Sequence, residues 1–451
     1  MSNFEHILSD PSLVIVFAYA PAGLGHLRVT NALYRGLPEE THPLLLGADD
    51  HTVEFIHRMM SNSRLTRSIM TWSQKGWAEK IVAFFYGKLF VEAHLNVLYE
   101  QLSAVLEQQI EVPKTVLVIA THFGLAHQLG AIKQKFAKEK NVRIILVLQV
   151  TDDSPQALWY VPTADLIFVP SFQTRSDLIR FGKKYHLPEV PIDVISYPVS
   201  PRLTEKLSPT NFEEKIHQLE ATSRNAVNIV FPISGAAVGL NFYTTLIDTL
   251  HQQSRRFKPF VICKTTDYTQ NFILDMIDRP NVKLILSKHG REIVQKYEDI
   301  YNEYIISLEV TKPSEQAFKS LLRPEDRGGS IILFAEPVGR QEFDNLNFLR
   351  RHLLIPQVHD RNELWRVAHQ ELMTGHDTQL NLRDSIENWR GLELPHHAIE
   401  AGTFINWALK KGLLQKMIKH YKKGVSGIHS QETNSHGVHD FWEKVAQFVS
   451  K

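Results

Sequence analysis

The sequence predicts an α/β protein made of two parallel-sheet domains in series. Short apolar runs rich in β-branched residues alternate with stretches of helical periodicity, as in strands joined by crossover helices. The alternation occurs once before residue 188 and begins again at Val227, and the intervening segment 188–219 contains five prolines. A length of 451 residues also requires more than one hydrophobic core. We therefore expect two sheets, each covered by helices on both faces.

The first half opens with a buried strand at 13–20, a glycine-containing loop at 21–26 and a helix at 27–36. Similar units follow along the chain. Strands are predicted at 115–120, 143–150 and 166–170, and helices at 124–138 and 173–181.

Residues 55–106 interrupt this alternation with a long helical stretch. Aromatic and basic side chains are interleaved in it, namely Trp72, Trp77, Phe84, Phe85, Tyr86 and Phe90 with Arg58, Arg64, Arg67, Lys75, Lys80 and Lys88. One interpretation is a pair of helices packed on the sheet. The other is an amphipathic surface that holds an apolar or lipid acceptor at a membrane interface.

The second half repeats the pattern with strands predicted at 227–232, 259–264, 282–286, 304–308 and 330–334, and a helix at 242–253. The stretch 399–451 has helical periodicity and no strand signal. We therefore predict an N-terminal domain at 1–205, which carries the 55–106 insertion, and a C-terminal domain at 222–398. Helices at 399–451 are expected to pack back towards the N-terminal domain.

The bulk composition narrows the functional class. The formal net charge is +1, so no global field favours nucleic acid as a partner. The single cysteine, Cys263, lies in a strand-like run and is expected to be a small core residue. The first residues do not resemble a signal peptide, and no run is long and apolar enough to span a bilayer. We expect a cytoplasmic protein that could bind the inner face of a membrane from its surface.

The first motif with chemical meaning is Gly23-Leu24-Gly25-His26, between the first strand and the first helix. Glycines allow a tight turn and close approach of a ligand, and a helix N-terminus favours anions. The motif is neither a dinucleotide fingerprint, because Arg28 stands where the third glycine would be, nor a Walker A loop. His26 is either a general base, with a pKa near the working pH, or a packing or capping residue.

Two other polar strand ends belong to the first half. Asp152 follows the strand at 143–150, and His122 follows the strand at 115–120. Ligands of open parallel sheets bind beyond the carboxyl ends of the strands. Asp152 is thus placed to act on a substrate hydroxyl, although a turn or helix-capping role is equally compatible with its position.

In the second half, the loop Ser234-Gly235-Ala236-Ala237-Val238-Gly239 has the small residues that suit a diphosphate at a helix start, or a plain strand-to-helix turn. Two later strand ends carry carboxylates and amides that could accept ribose or sugar hydroxyls, or could simply be solvated. They comprise Lys312, Ser314 and Glu315, followed by Glu336, Gln341, Glu342 and Asn345.

In this order, the motifs resemble the GT-B glycosyltransferases. The resemblance is to the branch with the peptidoglycan N-acetylglucosaminyltransferase, the monogalactosyldiacylglycerol synthases and the processive diacylglycerol glucosyltransferases. The matching segments are Gly23–His26, Thr151-Asp152 with Trp159 and 165–171, Ser234-Gly235 with Gly239, Lys312-Pro313-Ser314, and 337–345. One departure is Glu315-Gln316-Ala317, where the family turn carries glycines.

The resemblance implies two domains facing a central cleft. Gly23, Gly25, His122 and the catalytic candidates His26 and Asp152 would face the acceptor. The second-domain residues would hold a nucleotide sugar, usually a UDP-sugar, and transfer would invert the anomeric carbon without a metal or other cofactor. We therefore expect a transferase acting on a hydrophobic or lipid-linked acceptor. The alternatives are a UDP-N-acetylglucosamine 2-epimerase and a catalytically inert nucleotide-sugar-binding module.

Overall fold

The computed structural model describes residues 3–19, 24–47, 95–107, 109, 113–376, 378, 386–419, 421 and 430–451. It divides into two compact units. The first unit is formed by Met1–Ser200 with His436–Lys451, and the second by Pro201–Ser435. Gly23 and most of the predicted insertion at 55–106 lie outside the described residues.

The first unit contains a six-stranded parallel sheet in the order β2-β1-β3-β4-β5-β6. Its strands are β1 (Leu13–Tyr19), β2 (Leu44–Gly47), β3 (Thr115–Ala120), β4 (Arg143–Gln149), β5 (Leu166–Val169) and β6 (Ile192–Val194). The helices are α1 (Asn3–Leu8), α2 (Leu24–Arg35), α3 (Leu95–Glu107), α4 (Phe123–Lys140) and α5 (Phe172–Lys184), with a 3₁₀ turn at Ala157–Trp159. The strands are nearly continuous apolar runs because helices cover both faces of the sheet.

The second unit repeats the architecture with a parallel sheet in the order β12-β11-β10-β7-β8-β9. Its helices begin with α6 (Pro201–Thr204) and α7 (Pro209–Gln218). The strands are β7 (Val227–Pro232), β8 (Phe257–Lys264), β9 (Lys283–Ser287), β10 (Leu308–Thr311), β11 (Ile331–Phe334) and β12 (Gly391–Glu393). Between and after them lie α8 (Leu240–Gln253), α9 (Gln270–Ile277), α10 (Gly290–Glu303), α11 (Arg340–Arg351), α12 (Val358–Thr374), α13 (Ala398–Lys410), α14 (Leu413–Lys419) and α15 (Ser430–Thr433).

The last helix, α16 (Gly437–Val449), belongs to the first unit. Trp442 donates its indole N–H to the carbonyl of Leu33 at 2.8 Å, and its ring contacts Phe17 of β1 edge-on. Gly437 begins the helix where an added Cβ would stand 2.2 Å from a carbonyl oxygen of Ser196. The predicted segment 399–451 is therefore divided between the units, because α13 and α14 bury their apolar faces in the core of the second unit.

One predicted strand is wrong in position. The strand expected at 304–308 is instead β10 at Leu308–Thr311, and Tyr304 is the C-cap of α10. The buried carboxylate of Glu309 interrupts the apolar run in β10 and conceals the strand from a hydrophobicity pattern. The short strands β2, β6 and β12 at or near the sheet edges were not predicted.

The connection from β10 to β11 is a 3₁₀ helix at Glu315–Leu321 and a loop, rather than the α-helix usual in parallel sheets. Buried cations hold this loop by its carbonyl oxygens. Lys215 of α7 donates to Pro324 and Asp326 at 2.9 and 3.0 Å, and Arg390 donates to Gly329 at 2.9 Å. These side-chain donors satisfy carbonyl oxygens that would accept backbone N–H groups in a regular crossover helix.

Each sheet has a point where its strand order reverses. In the first unit, β1 lies between β2 and β3, and in the second unit β7 lies between β8 and β10. Crossovers on the two sides of such a strand leave on opposite faces of the sheet, which opens a crevice at the carboxyl ends of the strands. The predicted residues His26, His122 and Lys312 follow strands that border these two crevices. Asp152 follows β4 and Glu336 follows β11, each one strand further from the crevice.

Candidate active site

His26 lies in the first turn of α2, where the structure fixes the orientation of its ring. Its Nδ1 is 2.7 Å from the carbonyl oxygen of Thr121, which can only accept a hydrogen bond. Nδ1 therefore carries the proton, and the lone pair of the neutral ring is on Nε2. An imidazole held in this tautomer can take a proton from a substrate hydroxyl through Nε2.

Two threonines connect His26 to the neighbouring strand ends. Thr30, one turn along α2, donates its hydroxyl to the His26 carbonyl oxygen at 2.9 Å. The Thr30 hydroxyl oxygen also lies 2.8 Å from that of Thr121. The hydroxyl of Thr151, after β4, lies 3.3 Å from His26 Nδ1. The ends of β3 and β4 thus fix the position of the His26 ring from two sides.

Aromatic rings surround this histidine. His122, the N-cap of α4, has its ring centroid 5.0 Å from that of His26 and stacks on Phe123 at 4.7 Å. Trp159 contacts Phe123 edge-on at 5.4 Å and lies 6.3 Å from His26. The four rings form a closed set, which we call the ring cluster. His122 and Trp159 are buried, whereas His26 and Phe123 are half-buried.

The two adjacent aspartates after β4 have different environments. Asp153 is 3% exposed and accepts hydrogen bonds from the hydroxyls of Ser171 and Thr174, the latter at 2.7 Å. Ser171 is the N-cap of α5, so Asp153 stabilises a helix start, where a negative charge is favourable. Asp152 is half-buried, and its Oδ1 accepts the backbone N–H of Ser154 at 3.0 Å. Of the two, Asp152 is the one that the structure leaves partly accessible.

In the second unit, the loop Ser234–Gly239 joins β7 to α8. Its conformation depends on two left-handed residues, Ala237 with φ of 49° and Gly239 with φ of 83°. Within the described residues, the backbone N–H groups of Ala236, Val238 and Leu240 have no hydrogen-bond acceptor. Backbone N–H groups without an acceptor at a helix start favour an anion, and this is the basis on which a diphosphate is predicted at Ser234, Gly235 and Gly239.

Lys312 directly follows β10, and Glu342 lies in the first turn of α11, the helix after β11. The ammonium group of Lys312 donates to the carbonyl oxygen of Glu336, and burial lowers the pKa of Lys312 against the opposing effect of Glu342 and Glu336. Glu342 accepts the backbone N–H of Val338 at 2.6 Å. Burial raises the pKa of Glu342, although the Val338 N–H and Lys312 oppose this. Burial raises the pKa of Tyr243 in α8, and the Glu342 charge adds to this effect.

The remaining predicted residues fall into two groups. Asn345 is 1% exposed and donates its amide to the carbonyls of Pro313 and Ser314 at 3.1 and 3.2 Å, so it holds the loop after β10. Glu336 is exposed and lies 3.2 Å from His396. Ser314, Glu315 and Gln341 are half-buried at the same edge. The structure therefore brings the predicted second-unit residues to one edge of the sheet. Asn345 is buried beneath that edge and contacts the loop after β10.

No protein-family model matches the sequence, and no curated protein matches it. Solved structures do match over nearly the whole chain. MnaA from S. aureus, solved with UDP, has 10% identity and a TM-score of 0.50, with 97% of this chain and 96% of that chain covered.

Two further matches are UGT89C1 from Arabidopsis thaliana complexed with UDP-L-rhamnose and MurG from Acinetobacter baumannii. The first has 11% identity, a TM-score of 0.47 and coverage of 97% and 99% of the two chains. The second has 10% identity, a TM-score of 0.44 and coverage of 96% and 99%. The topology of the two sheets and the match to MnaA show that this chain has the GT-B fold, with two Rossmann-like units.

Proposed function

We propose that this protein is a glycosyltransferase that moves a sugar from a UDP-sugar to an acceptor hydroxyl. The observation that carries the proposal is the orientation of His26, whose Nδ1 bonds the Thr121 carbonyl at 2.7 Å and leaves Nε2 as the basic nitrogen. Support for the donor comes from the amide-rich loop after β7 and from the presence of UDP in the structure of MnaA, which shares the fold.

The chemistry would be a single displacement. His26 Nε2 takes the proton of the acceptor hydroxyl as its oxygen forms a bond to the anomeric carbon of the donor. The bond from that carbon to the diphosphate oxygen breaks, UDP leaves with the electron pair, and the anomeric configuration inverts. The loop amides of Ala236 and Val238, with the ammonium group of Lys312, would stabilise the charge that develops on the leaving diphosphate.

Most of the other predicted site residues have a place in this proposal. Gly25 and His122 would contact the acceptor beside His26, and Asp152 would orient its hydroxyl. Glu342, Glu336 or Gln341 would accept ribose or sugar hydroxyls. Asn345 would act through the loop after β10, since its amide holds the Pro313 and Ser314 carbonyls.

The test measures UDP release from a panel of UDP-sugars, with and without acceptor. His26→Ala is expected to lower turnover by about 10²- to 10⁴-fold, the usual contribution of a general base. Its affinity for UDP should stay within about twofold of wild type, because His26 belongs to the first unit and the loop after β7 to the second. His42→Ala, an exposed histidine of the same unit, is the matched control.

Three outcomes would contradict the proposal. Full activity of His26→Ala would remove the assigned base. Conversion of the donor without any acceptor would favour the epimerase alternative, and UDP binding without turnover in the wild type would favour an inert module.

We further propose a hydrophobic acceptor, because the half-buried Phe123 of the ring cluster places an apolar ring near His26. No helix among the described residues is long and apolar enough to cross a bilayer. We propose that a lipid acceptor is reached from the membrane surface, with the protein bound peripherally. The acceptor arm of the same assay compares a lipid-linked alcohol in vesicles with a soluble sugar, and equal or better use of the soluble sugar would refute the hydrophobic assignment.

A further inference from the structure

Tyr268, a residue with no motif around it, connects two loops at the carboxyl edge of the second sheet. It follows β8, and its hydroxyl donates to the carbonyl oxygen of Gly235 at 2.8 Å. Gly235 belongs to the loop after β7, the strand next to β8. The tyrosine is 40% exposed, so its ring is held at the surface beside the proposed diphosphate loop.

The backbone under Tyr268 is itself held by a small turn. Thr269, 2% exposed, donates its N–H to the carbonyl of Thr266 at 3.0 Å. The N–H of Thr266 returns a bond to the Thr269 hydroxyl oxygen at 2.9 Å. This turn fixes the backbone position of Tyr268. The hydrogen bond from its hydroxyl to Gly235 therefore restrains the loop after β7.

The consequence for the loop follows from peptide geometry. The peptide bond between Gly235 and Ala236 is trans, so its C=O and N–H point in opposite directions. When Tyr268 holds the Gly235 oxygen on one side, the Ala236 N–H must point to the other. That N–H has no acceptor within the described residues, and Ala236 is exposed.

We propose that Tyr268 is a positioning residue, which orients the Gly235–Ala236 peptide so that its N–H can bind the diphosphate of the nucleotide. This inference rests on the proposed function, because it assigns a role within the same nucleotide site. The proposed effect is on binding of the diphosphate and not of the nucleoside, because the Tyr268 hydroxyl contacts the backbone of the loop proposed to hold the diphosphate.

The test is Tyr268→Phe, which keeps the ring and removes only the hydroxyl. Loss of one neutral hydrogen bond is expected to weaken UDP binding by about 2- to 10-fold in calorimetry. Binding of uridine, which lacks phosphate, should stay within about 1.5-fold. In turnover, KM for the donor should rise while kcat changes little. Tyr185→Phe, an equally exposed tyrosine in the first unit, is the control.

Hydrogen exchange gives a second readout that needs no ligand. Tyr268→Phe should speed exchange of the amides in 233–242 and leave other segments of the unit unchanged. The inference fails if exchange in this segment is unaffected, if UDP affinity is unchanged, or if uridine loses as much affinity as UDP. A wild type that binds neither UDP nor UDP-sugars would instead refute the proposed function, and the inference with it.

Discussion

A buried ion pair in the second unit allows a quantitative test of how the β10–β11 connection is held. Glu309 of β10 is fully buried, and Lys319 of the 3₁₀ helix is 2% exposed. The Lys319 ammonium group donates to Glu309 Oε2 at 2.6 Å and to the hydroxyls of Tyr297 and Tyr301 at 2.6 and 2.7 Å. Both tyrosines also donate to the same Glu309 oxygen.

Replacing Lys319 by methionine keeps most of the side-chain volume but leaves the Glu309 carboxylate buried without its cation. The hydroxyls of Tyr297 and Tyr301 remain as hydrogen-bond donors, so they still stabilise part of the Glu309 charge. Removal of one partner of a buried pair costs about 3–5 kcal/mol. Since domains have a free energy of unfolding of about 5–15 kcal/mol, this loss would be a large fraction of the stability of the unit.

The assay is hydrogen exchange measured by mass spectrometry on peptides that contain β10, because a two-unit protein need not unfold in one step. Arg366→Met removes an exposed pair with Glu363 and is the control, with an expected loss below about 1 kcal/mol. The double variant Glu309→Gln with Lys319→Met buries no charge and should be more stable than Lys319→Met alone.

Two results would refute this reasoning. The first is a loss below about 1 kcal/mol for Lys319→Met, which would mean that the tyrosines alone satisfy Glu309. The second is a double variant as unstable as the single one, which would show that lost packing, and not the uncompensated charge, causes the effect.

Two further predictions concern the first unit. Gly437→Ala should destabilise it by about 2 kcal/mol or more, because the new Cβ would meet the Ser196 carbonyl oxygen at 2.2 Å. The control is Gly339→Ala in the second unit, where nothing lies within 4 Å of the new Cβ and thermal unfolding should change little. His127 donates its Nε2–H to the carbonyl oxygen of Leu158 at 3.0 Å, and burial lowers the pKa of His127. As the pH falls, His127 is protonated in the unfolded chain before it is protonated in the folded protein. The free energy of unfolding is therefore highest above the ordinary histidine pKa near 6.5. Below that pH it falls by at most about 1.4 kcal/mol per pH unit. His127→Gln should flatten that dependence in urea titrations at pH 5–7, and an unchanged slope would contradict the assignment.

Much of the fold could be predicted from the sequence because the central strands of parallel sheets are continuous apolar runs. β3 and β7 were predicted with the bounds that the structure has. β10 was misplaced because Glu309 is charged, and only the tertiary contacts with Lys319 explain how a carboxylate can be buried there. The crossover after β10 could not be foreseen either, since its loop is held by side chains from distant segments.

The candidate site shows the same division. The strand ends that carry His26, Asp152 and the loop after β7 were predictable from alternation and glycine placement. The tautomer of His26 depends on the Thr121 carbonyl, a contact 95 residues away in sequence. The hydrogen bond from Tyr268 to Gly235 could not be predicted from the sequence, because an exposed tyrosine after a strand has no distinctive pattern.

The placement of α16 has a consequence for how the chain is made. Residues 436–451 complete the first unit, yet the ribosome adds them only after all of Pro201–Ser435. During synthesis, the face of the first sheet that Phe441 and Trp442 will cover, including Phe17 and Phe168, stays open while the second unit is produced and can fold. The second unit can therefore fold before the first unit is complete. Until α16 is made, the uncovered apolar face of the first sheet is the surface on which we expect chaperones to act.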